Sequence, residues 1–222
     1  MPQETEKFRS TASLNIREAP NALSKSLGRL GIDDVIEKTG ESTDGKWVSF
    51  RFKEGEAWLS KKYLAKVPYI PPLGEDFPWM KYAEQERDSG VQEVAGSGNN
   101  PRVLEYLRST TNLSQSAASK DETPWCSAFV NWCLEQAGYE RTKNAAARSW
   151  LSWGQKIETP RRGCVVVFRR EQVYGHVGFY IDETETHVKV LGGNQQNPET
   201  KIFEVSEKYY PKPELLGYRI PK

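Results

Sequence analysis

Residues 121–133 read Asp121-Glu122-Thr123-Pro124-Trp125-Cys126-Ser127-Ala128-Phe129-Val130-Asn131-Trp132-Cys133, which is the pattern of a helix start. Asp121 or Thr123 is suited to cap the first turn, and Pro124 suits the first helical position. Gly138 is a typical stop signal beyond the last apolar residues. We therefore predict a helix that begins near Pro124, ends before Gly138 and carries a cysteine in its first turn.

Cys126 has two interpretations at this stage. The free backbone N–H groups and the positive dipole end of a helix stabilise a thiolate, which is the nucleophilic form of cysteine. Alternatively, Cys126 is a small packing residue, because free cysteine is among the most buried residue types. The helix pattern alone does not decide between them.

The overall charge excludes several classes of partner. The 222 residues include 31 Lys and Arg against 30 Asp and Glu, a formal net charge of +1 at pH 7. Such a balance gives no global field that would recruit nucleic acid or an anionic membrane. The first residues, Met1 to Arg9, lack the pattern of a signal peptide, and no stretch approaches transmembrane length. We therefore expect a protein made in the cytoplasm without a signal peptide and not inserted into a membrane.

The cysteine and histidine counts limit the chemistry. Three cysteines, an odd number without framework spacing, argue against a disulfide scaffold. We expect Cys133 to pack in the core, and Cys164 either to do the same or to lie near the site as a second thiol. Only two histidines are present, without paired ligand spacing, so no zinc centre, other metal or cofactor is expected.

Residues 8–67 contain short strand-like runs separated by turn signals such as Asp44-Gly45 and Glu54-Gly55. This alternation predicts a small all-β antiparallel barrel. Three motifs resemble the bacterial Src-homology-3-like domain, namely Leu14-Asn15-Ile16-Arg17, Gly45-Lys46-Trp47-Val48 and Ala57-Trp58-Leu59. The family more often has glycine where this chain has Ala57.

The resemblance implies that the barrel helps to bind wall peptides. Trp58 and Tyr63, with Trp47, would then form an aromatic platform. Aromatic residues in so small a domain also serve to fill its core, and for Trp47 we expect core packing. Clustered prolines then predict an extended, Pro-rich linker at residues 68–76.

The remaining residues, 77–222, show helical patterns first and strand patterns after them. Helices are predicted at 79–86, after an Asn100 cap, at Cys126 and at 144–153, where Gly154 is the stop. Strands are predicted at 164–168, 175–181, 187–191 and 202–205. This order indicates an α+β fold, with the Cys126 helix packed on an antiparallel sheet.

Two polar residues on these strands are candidate partners of the cysteine. His176 begins an apolar strand from which an imidazole can face the Cys126 helix, although an isolated histidine there can also be a surface residue. Asn194 follows Gly192-Gly193 at the end of the next strand and is the best candidate to orient the imidazole; Gln195 is the neighbouring alternative. A simple Gly–Asn hairpin turn is the other interpretation of this segment. His187 lies in a polar turn and is expected to have no such role.

The order of these residues resembles the NlpC-type papain-like cysteine peptidases and the related CHAP amidases. The motifs that carry the resemblance are Gly90-Val91-Gln92-Glu93, Asn100-Pro101-Arg102-Val103-Leu104-Glu105-Tyr106, Trp125-Cys126-Ser127-Ala128-Phe129-Val130, Ala147-Arg148-Ser149-Trp150, Gly175-His176-Val177-Gly178 and Gly192-Gly193-Asn194-Gln195. The resemblance implies an α+β fold in which a papain-like catalytic domain, helices packed on an antiparallel sheet, follows the small barrel. Many NlpC-type enzymes have aspartate where this chain has Trp125. Because of this difference, the resemblance does not fix which bond is cut.

The resemblance further implies a peptidoglycan hydrolase in which Cys126 attacks an amide, His176 transfers the proton and Asn194 fixes the imidazole. Ser127 and Tyr82 are candidate oxyanion donors, and Trp125 and Gln195 are further substrate-binding candidates. The implied substrate is the peptide stem of the wall, cut between D-glutamate and a diamino acid or, alternatively, at the amide between muramic acid and L-alanine. A non-catalytic wall-binding protein and a papain-like acyltransferase or deamidase acting on protein are the competing functions.

The resemblance also suggests how such a protein is used. It would act on the cell wall as a phage-type lysin, or as an antibacterial toxin in the periplasm of a target cell. An effector of this kind would have an immunity protein and a component of a secretion machine as partners.

Overall fold

The computed structural model describes residues 6–96 and 98–222 of the chain. Residues 1–5, from the polar N-terminal stretch, and Ser97 lie outside the described residues. The chain forms two compact units, Met1–Tyr69 and Ile70–Lys222. The division falls inside the segment for which the sequence predicts a linker.

The first unit is an antiparallel sheet of seven strands in the order β3-β2-β6-β5-β4-β1-β7. The strands are β1 (Lys7–Ser10), β2 (Leu14–Arg17), β3 (Ser26–Leu30), β4 (Val35–Glu41), β5 (Trp47–Phe52), β6 (Gly55–Ser60) and β7 (Leu64–Val67). A single 3₁₀ turn, Lys61–Tyr63, precedes β7. The prediction of β-structure for this part of the chain is confirmed.

The core of this unit does not contain its tryptophans. Val48 pairs with Leu59 across β5 and β6, and both side chains are fully buried. Because side chains alternate along a strand, Trp47 and Trp58 point to the opposite face, where each is only partly buried. The expectation of core packing for Trp47 is therefore wrong. The core consists of smaller aliphatic residues and two phenylalanines, Phe8 and Phe50.

The second unit places three helices before a six-stranded antiparallel sheet in the order β12-β11-β10-β9-β13-β8. The helices are α1 (Met80–Asp88), α2 (Pro101–Arg108) and α3 (Cys126–Gln136), followed by a 3₁₀ helix, Ala147–Ser152. The strands are β8 (Gln155–Ile157), β9 (Val165–Arg170), β10 (Tyr174–Glu183), β11 (His187–Gln196), β12 (Phe203–Pro211) and β13 (Leu215–Ile220). The predicted α+β organisation is confirmed, whereas β8 and β13 were not predicted.

Helix α3 packs against β10 and β11, and every residue from Cys126 to Leu134 is buried. It is thus a central core helix rather than an amphipathic surface helix. Among the helices that the structure describes, none is long and apolar enough to cross a membrane.

The helix caps agree with the sequence in α2 but not in α3. The Asn100 side chain accepts a hydrogen bond from the Arg102 N–H, and Pro101 is the first helical residue, as predicted. Helix α3 has no side-chain cap. Asp121 instead accepts the N–H groups of Val94 and Asn100, and the Thr123 hydroxyl donates to the Ala117 carbonyl.

The prediction that Asp121 or Thr123 caps the cysteine helix is therefore wrong, because both side chains fix the preceding loop. The prediction of its end is confirmed. Helix α3 stops at Gln136, and Gly138 adopts a φ of 74°, in the left-handed region that glycine favours.

Candidate active site

Cys126 is the first residue of α3 and is 5% exposed. Its sulfur interacts with the backbone N–H groups of Val177 and Ser127. Burial nevertheless raises the pKa of the thiol above its ordinary value, and the opposing effects of Arg170 and of these N–H groups are smaller. Burial thus opposes the stabilisation of a thiolate that a helix start provides.

His176 lies on β10, directly opposite Phe168 of β9, and has no exposed surface. Burial lowers the pKa of the imidazole well below 6.5, and the positive charges of Arg170 and Lys208 lower it further. Neither ring nitrogen makes a hydrogen bond of ordinary geometry with a described residue. His176 is therefore a buried, neutral base one residue away from the amide that contacts the Cys126 sulfur.

The imidazole is held in a stack of three rings. The Tyr210 ring lies between Phe168, at a centroid distance of 4.9 Å, and His176, at 4.7 Å. The ring planes of His176 and Tyr210 differ by 17°. The stack fixes the plane in which the imidazole nitrogens lie.

Gln195 is the polar side chain behind the imidazole. It is fully buried, and its Nε2 donates to the carbonyls of Gly192, at 3.1 Å, and Ser206. Its Oε1 accepts the Tyr210 hydroxyl at 2.9 Å. The amide also interacts with His176 and raises the pKa of the imidazole, which burial lowers. Because its donor groups are used by carbonyls, Gln195 presents its acceptor oxygen toward the Tyr210 and His176 side.

Asn194 lies within strand β11 and not in the hairpin turn that the neighbouring glycines suggest. It adopts a φ of 57° within β11, where the pairing with β12 shifts register between Gly192 and Gln195. The segment is therefore a bulge in a continuous strand, and the interpretation as a hairpin turn is wrong. No hydrogen bond joins the Asn194 side chain to His176 within the described part of the chain, whereas Gln195 does interact with the imidazole.

The side-chain candidates for an oxyanion donor are not available at Cys126. The Ser127 hydroxyl donates to the Asn144 carbonyl at 2.6 Å and accepts the Trp150 N–H at 2.9 Å. Tyr82 lines a cavity of about 650 Å³ together with Gln136 and Ala137, at the far end of α3. Eleven helical residues span about 16 Å, so Tyr82 is remote from the thiol.

Trp125 is a packing residue rather than a substrate contact. Its side chain is fully buried, and its Nε1 donates to the Glu93 carboxylate at 2.9 Å. A methyl group added at Gly193 would lie 2.2 Å from the Trp125 ring, so the glycine allows α3 and β11 to approach closely. The candidate role of Trp125 in binding substrate is therefore not supported by its position.

The other cysteines and His187 match their expected positions. Cys133 and Cys164 are fully buried free thiols, and burial raises the pKa of Cys164 to about 12. The prediction that Cys133 packs in the core is confirmed, and of the two alternatives for Cys164 the structure shows core packing. His187 is exposed at the start of β11, and its Nδ1 is 2.9 Å from the Thr186 hydroxyl. Among the described residues, no group of three or more His, Cys, Asp or Glu is arranged to hold a metal ion.

Sequence reasoning missed Tyr210 and Arg170. Tyr210 lies near the end of β12, which is separated from the strand of the histidine by β11, and no spacing in the sequence relates the two residues. Arg170 gave a weak signal: it follows the apolar run of β9 at an even spacing from Phe168, which places both on the same face.

Comparison with known proteins gives a family match over the same segment. A family model described as the CHAP domain matches residues 118–194. The matched segment contains Cys126, His176 and Asn194 and ends one residue before Gln195. The match covers about a third of the chain, and over that segment the chain is similar to the CHAP domain. The resemblance of residues 8–67 to a Src-homology-3-like domain stays a prediction.

Solved structures provide remote likenesses. An NlpC/P60 family protein from Bacillus cereus ATCC 10987 is 15% identical, with a TM-score of 0.36; the match covers 97% of this chain and 63% of that protein. NlpC1 from Trichomonas vaginalis is 14% identical with a TM-score of 0.29, covering 98% and 93% of the two chains. NlpC2 from the same organism is 12% identical with a TM-score of 0.29, covering 98% of each. No curated protein matches the chain.

Proposed function

We propose that the protein is a peptidoglycan hydrolase that cleaves an amide bond of the wall peptide through Cys126. One observation carries this proposal. The Cys126 sulfur lies at the start of a buried helix against the N–H of Val177, the residue after His176, and the buried His176 imidazole interacts with the Gln195 amide, which Tyr210 holds in place. A thiol, a base and an orienting group in this order form the general arrangement for nucleophilic acyl transfer. The CHAP match over residues 118–194 supports the same class of reaction.

In the proposed reaction, the Cys126 sulfur attacks the carbonyl carbon while His176 accepts the thiol proton. The imidazolium then gives this proton to the leaving amine, and water hydrolyses the resulting thioester. Because burial holds both resting groups neutral, the proton moves during the attack rather than before it. The backbone N–H of Cys126 is the proposed oxyanion donor, and a donor of this kind typically lowers the barrier by about 3 kcal/mol.

We assign the orienting role to Gln195 in place of Asn194. The His176 Nε2 faces the part of β11 that carries Gln195, since a methyl group at Gly192 would lie 3.3 Å from that nitrogen. We therefore assign the Gln195 Oε1, which already accepts the Tyr210 hydroxyl, as the acceptor for the Nε2–H. Holding the proton on Nε2 leaves Nδ1 as the unprotonated base for the thiol.

The proposed bond is the amide between D-glutamate and the diamino acid of the peptide stem, and the amide between muramic acid and L-alanine is the alternative. The test is to incubate purified muropeptides with the wild type and with Cys126→Ala, and to identify new amines by mass spectrometry. Cys133→Ala, which removes a buried thiol from the same helix, is the matched control.

We expect cleavage by the wild type and by Cys133→Ala, and none by Cys126→Ala. Unchanged fragments with all three proteins would refute the hydrolase proposal. Binding of wall fragments without cleavage would then indicate a wall-binding module. A Cys126-dependent change in a protein substrate would indicate an acyltransferase or deamidase.

We further propose that the protein acts on the wall of a target cell, as a toxin or as a phage-type lysin. Directing the wild type to the periplasm of a sensitive bacterium should cause lysis, whereas Cys126→Ala should not. Survival of cells that hold active protein in the periplasm would contradict this use while leaving the chemistry in place.

A further inference from the structure

Arg170 is an unpaired cation beside the proposed site. It is the last residue of β9, shares a face with Phe168 and lies opposite Tyr174, two residues before His176. Its Nη2 is 3.3 Å from the Tyr210 hydroxyl, whose ring stacks on His176. The side chain is partly buried, and it forms no ion pair with any carboxylate of the described residues.

The charged side chains that act directly on Cys126 and His176 from other residues are cations, and one carboxylate, Glu214, acts on the neighbouring Tyr210. Arg170 acts on both Cys126 and His176, and exposed Lys208 also acts on His176. Both cations disfavour the protonated imidazole that the proposed reaction requires. In the free protein the Arg170 guanidinium makes His176 a weaker base. If Arg170 binds an anionic group of the substrate, its charge is neutralised and this effect on His176 is removed.

We infer that Arg170 binds a substrate carboxylate adjacent to the scissile amide. This inference rests on the proposed function and deepens it by naming the substrate class. The planar guanidinium can hold a carboxylate through two parallel hydrogen bonds, which a lysine cannot reproduce. Binding the carboxylate also neutralises the charge beside His176, so that the imidazole accepts the thiol proton more readily when the correct substrate is bound.

The wall peptide offers such a group. A D-glutamate joined through its side-chain carboxyl keeps a free α-carboxylate next to the bond to the diamino acid. In peptides whose α-carboxylate is amidated, this charge is absent. The enzyme is therefore selective for γ-D-glutamyl peptides with the free acid over the matched carboxamides.

The test uses two synthetic stem peptides that differ only in this carboxylate or carboxamide. The ratio of kcat/KM for the two peptides is measured for the wild type, Arg170→Gln, Arg170→Lys and Arg169→Gln. Arg169 is the matched control, because it carries the same charge on the neighbouring residue, is exposed and points to the other face of β9.

We expect the wild type and Arg169→Gln to prefer the carboxylate by about 10- to 100-fold, the range for a charge-assisted pair. Arg170→Gln should bring the ratio close to one, and Arg170→Lys should give an intermediate ratio. A loss of rate on both peptides that leaves the ratio unchanged would overturn the inference, because Arg170 would then act only through Tyr210.

Two further outcomes separate this inference from the proposed function. Cys126-dependent cleavage with no preference in the wild type, or cleavage only at the muramic acid amide, overturns the role of Arg170 but leaves the hydrolase intact. If Cys126→Ala and the wild type give identical products from every wall substrate, the hydrolase proposal itself fails and the inference fails with it.

Discussion

At the scale of single residues, the candidate site is a neutral pair enclosed by the protein. Cys126 is 5% exposed and His176 has no exposed surface. Burial shifts the two pKa values in opposite directions, upward for the thiol and downward for the imidazole. Each shift disfavours the charged form of its group.

The lowered pKa of His176 predicts a pH dependence of stability. Below about 6.5 the unfolded chain binds a proton at this residue, whereas the folded protein does not. The free energy of unfolding should therefore fall as the pH falls below 6.5, with a slope from this group of up to about 1.4 kcal/mol per pH unit. Urea unfolding between pH 7.5 and 5.5 should show this slope in the wild type and its loss in His176→Gln.

His187→Gln is the matched control, because that histidine is exposed at the start of β11. It should keep the wild-type slope. Equal slopes in the wild type and His176→Gln would mean that the imidazole becomes protonated inside the folded protein.

In Tyr210→Phe, the rise in activation free energy calculated from kcat should exceed the loss in free energy of unfolding. The substitution keeps the ring between Phe168 and His176 but removes the hydroxyl that donates to Gln195. Loss of one neutral hydrogen bond is worth about 0.5–1.5 kcal/mol, or roughly 2- to 13-fold in rate if it acts on the transition state. Steady-state kinetics and thermal unfolding on the same samples give the comparison.

The control for this substitution is Tyr209→Phe, at the neighbouring residue, which is 51% exposed. Its kinetics should match those of the wild type. A Tyr210→Phe protein with unchanged kcat would show that Gln195 needs no help to hold its orientation.

At the scale of elements, the approach of α3 to β11 depends on one glycine. A Cβ at Gly193 would lie 2.2 Å from the Trp125 ring and 2.8 Å from the Phe129 Cβ. Gly193→Ala should therefore force apart the helix that carries Cys126 and the strand that carries Gln195. Overpacking of this kind costs about 1–3 kcal/mol, and activity should fall with stability.

Chemical denaturation of Gly193→Ala and of Gly55→Ala gives the matched comparison. A Cβ at Gly55 would meet no atom within 4 Å, so that substitution should change the stability little. If Gly193→Ala unfolds at the wild-type denaturant concentration, α3 and β11 can move apart at little cost in free energy, and the predicted loss of stability is contradicted.

The sequence predicts these elements best where the signal is local. Asn100 and Pro101 predict the start of α2 because the cap and the helix are neighbours in the chain. Asp121 misleads at α3 because its carboxylate binds the N–H groups of Val94 and Asn100, which are distant in sequence. Strand β13 was missed because the residues that pair with it, in β9, lie about fifty positions earlier.

The same dependence on contacts distant in sequence explains why Cys126 and His176 could be predicted, whereas the residue that orients the imidazole could not. Cys126 begins an apolar helix and His176 comes directly before the apolar run of β10, so their positions can be inferred from pattern. The choice between Asn194 and Gln195 depends on a bulge, and one extra residue in a strand exchanges the faces to which its side chains point. No local pattern marks that bulge in this chain.

At the scale of the whole molecule, each unit has its own hydrophobic core. A separate core is the physical requirement for independent folding. A fragment of residues 70–222 should therefore fold and cleave soluble muropeptides in a Cys126-dependent way. Circular dichroism and mass spectrometry of the products test this, and a fragment that is unfolded under native conditions would contradict it.

The first unit carries the proposed contact with the wall. Trp58 is partly exposed and Tyr63 is 40% exposed, so both can reach a ligand. If this unit binds the wall, Trp58→Ala with Tyr63→Ala should weaken sedimentation with insoluble wall and leave cleavage of soluble peptides unchanged.

The burial of the thiols has a consequence for how the protein endures oxidants. Sulfur is oxidised by peroxide through its thiolate and only where the oxidant can reach it. Cys126, Cys133 and Cys164 are all buried, and burial raises the pKa of each. The protein should therefore stay reduced and free of intermolecular disulfides in an oxidising compartment.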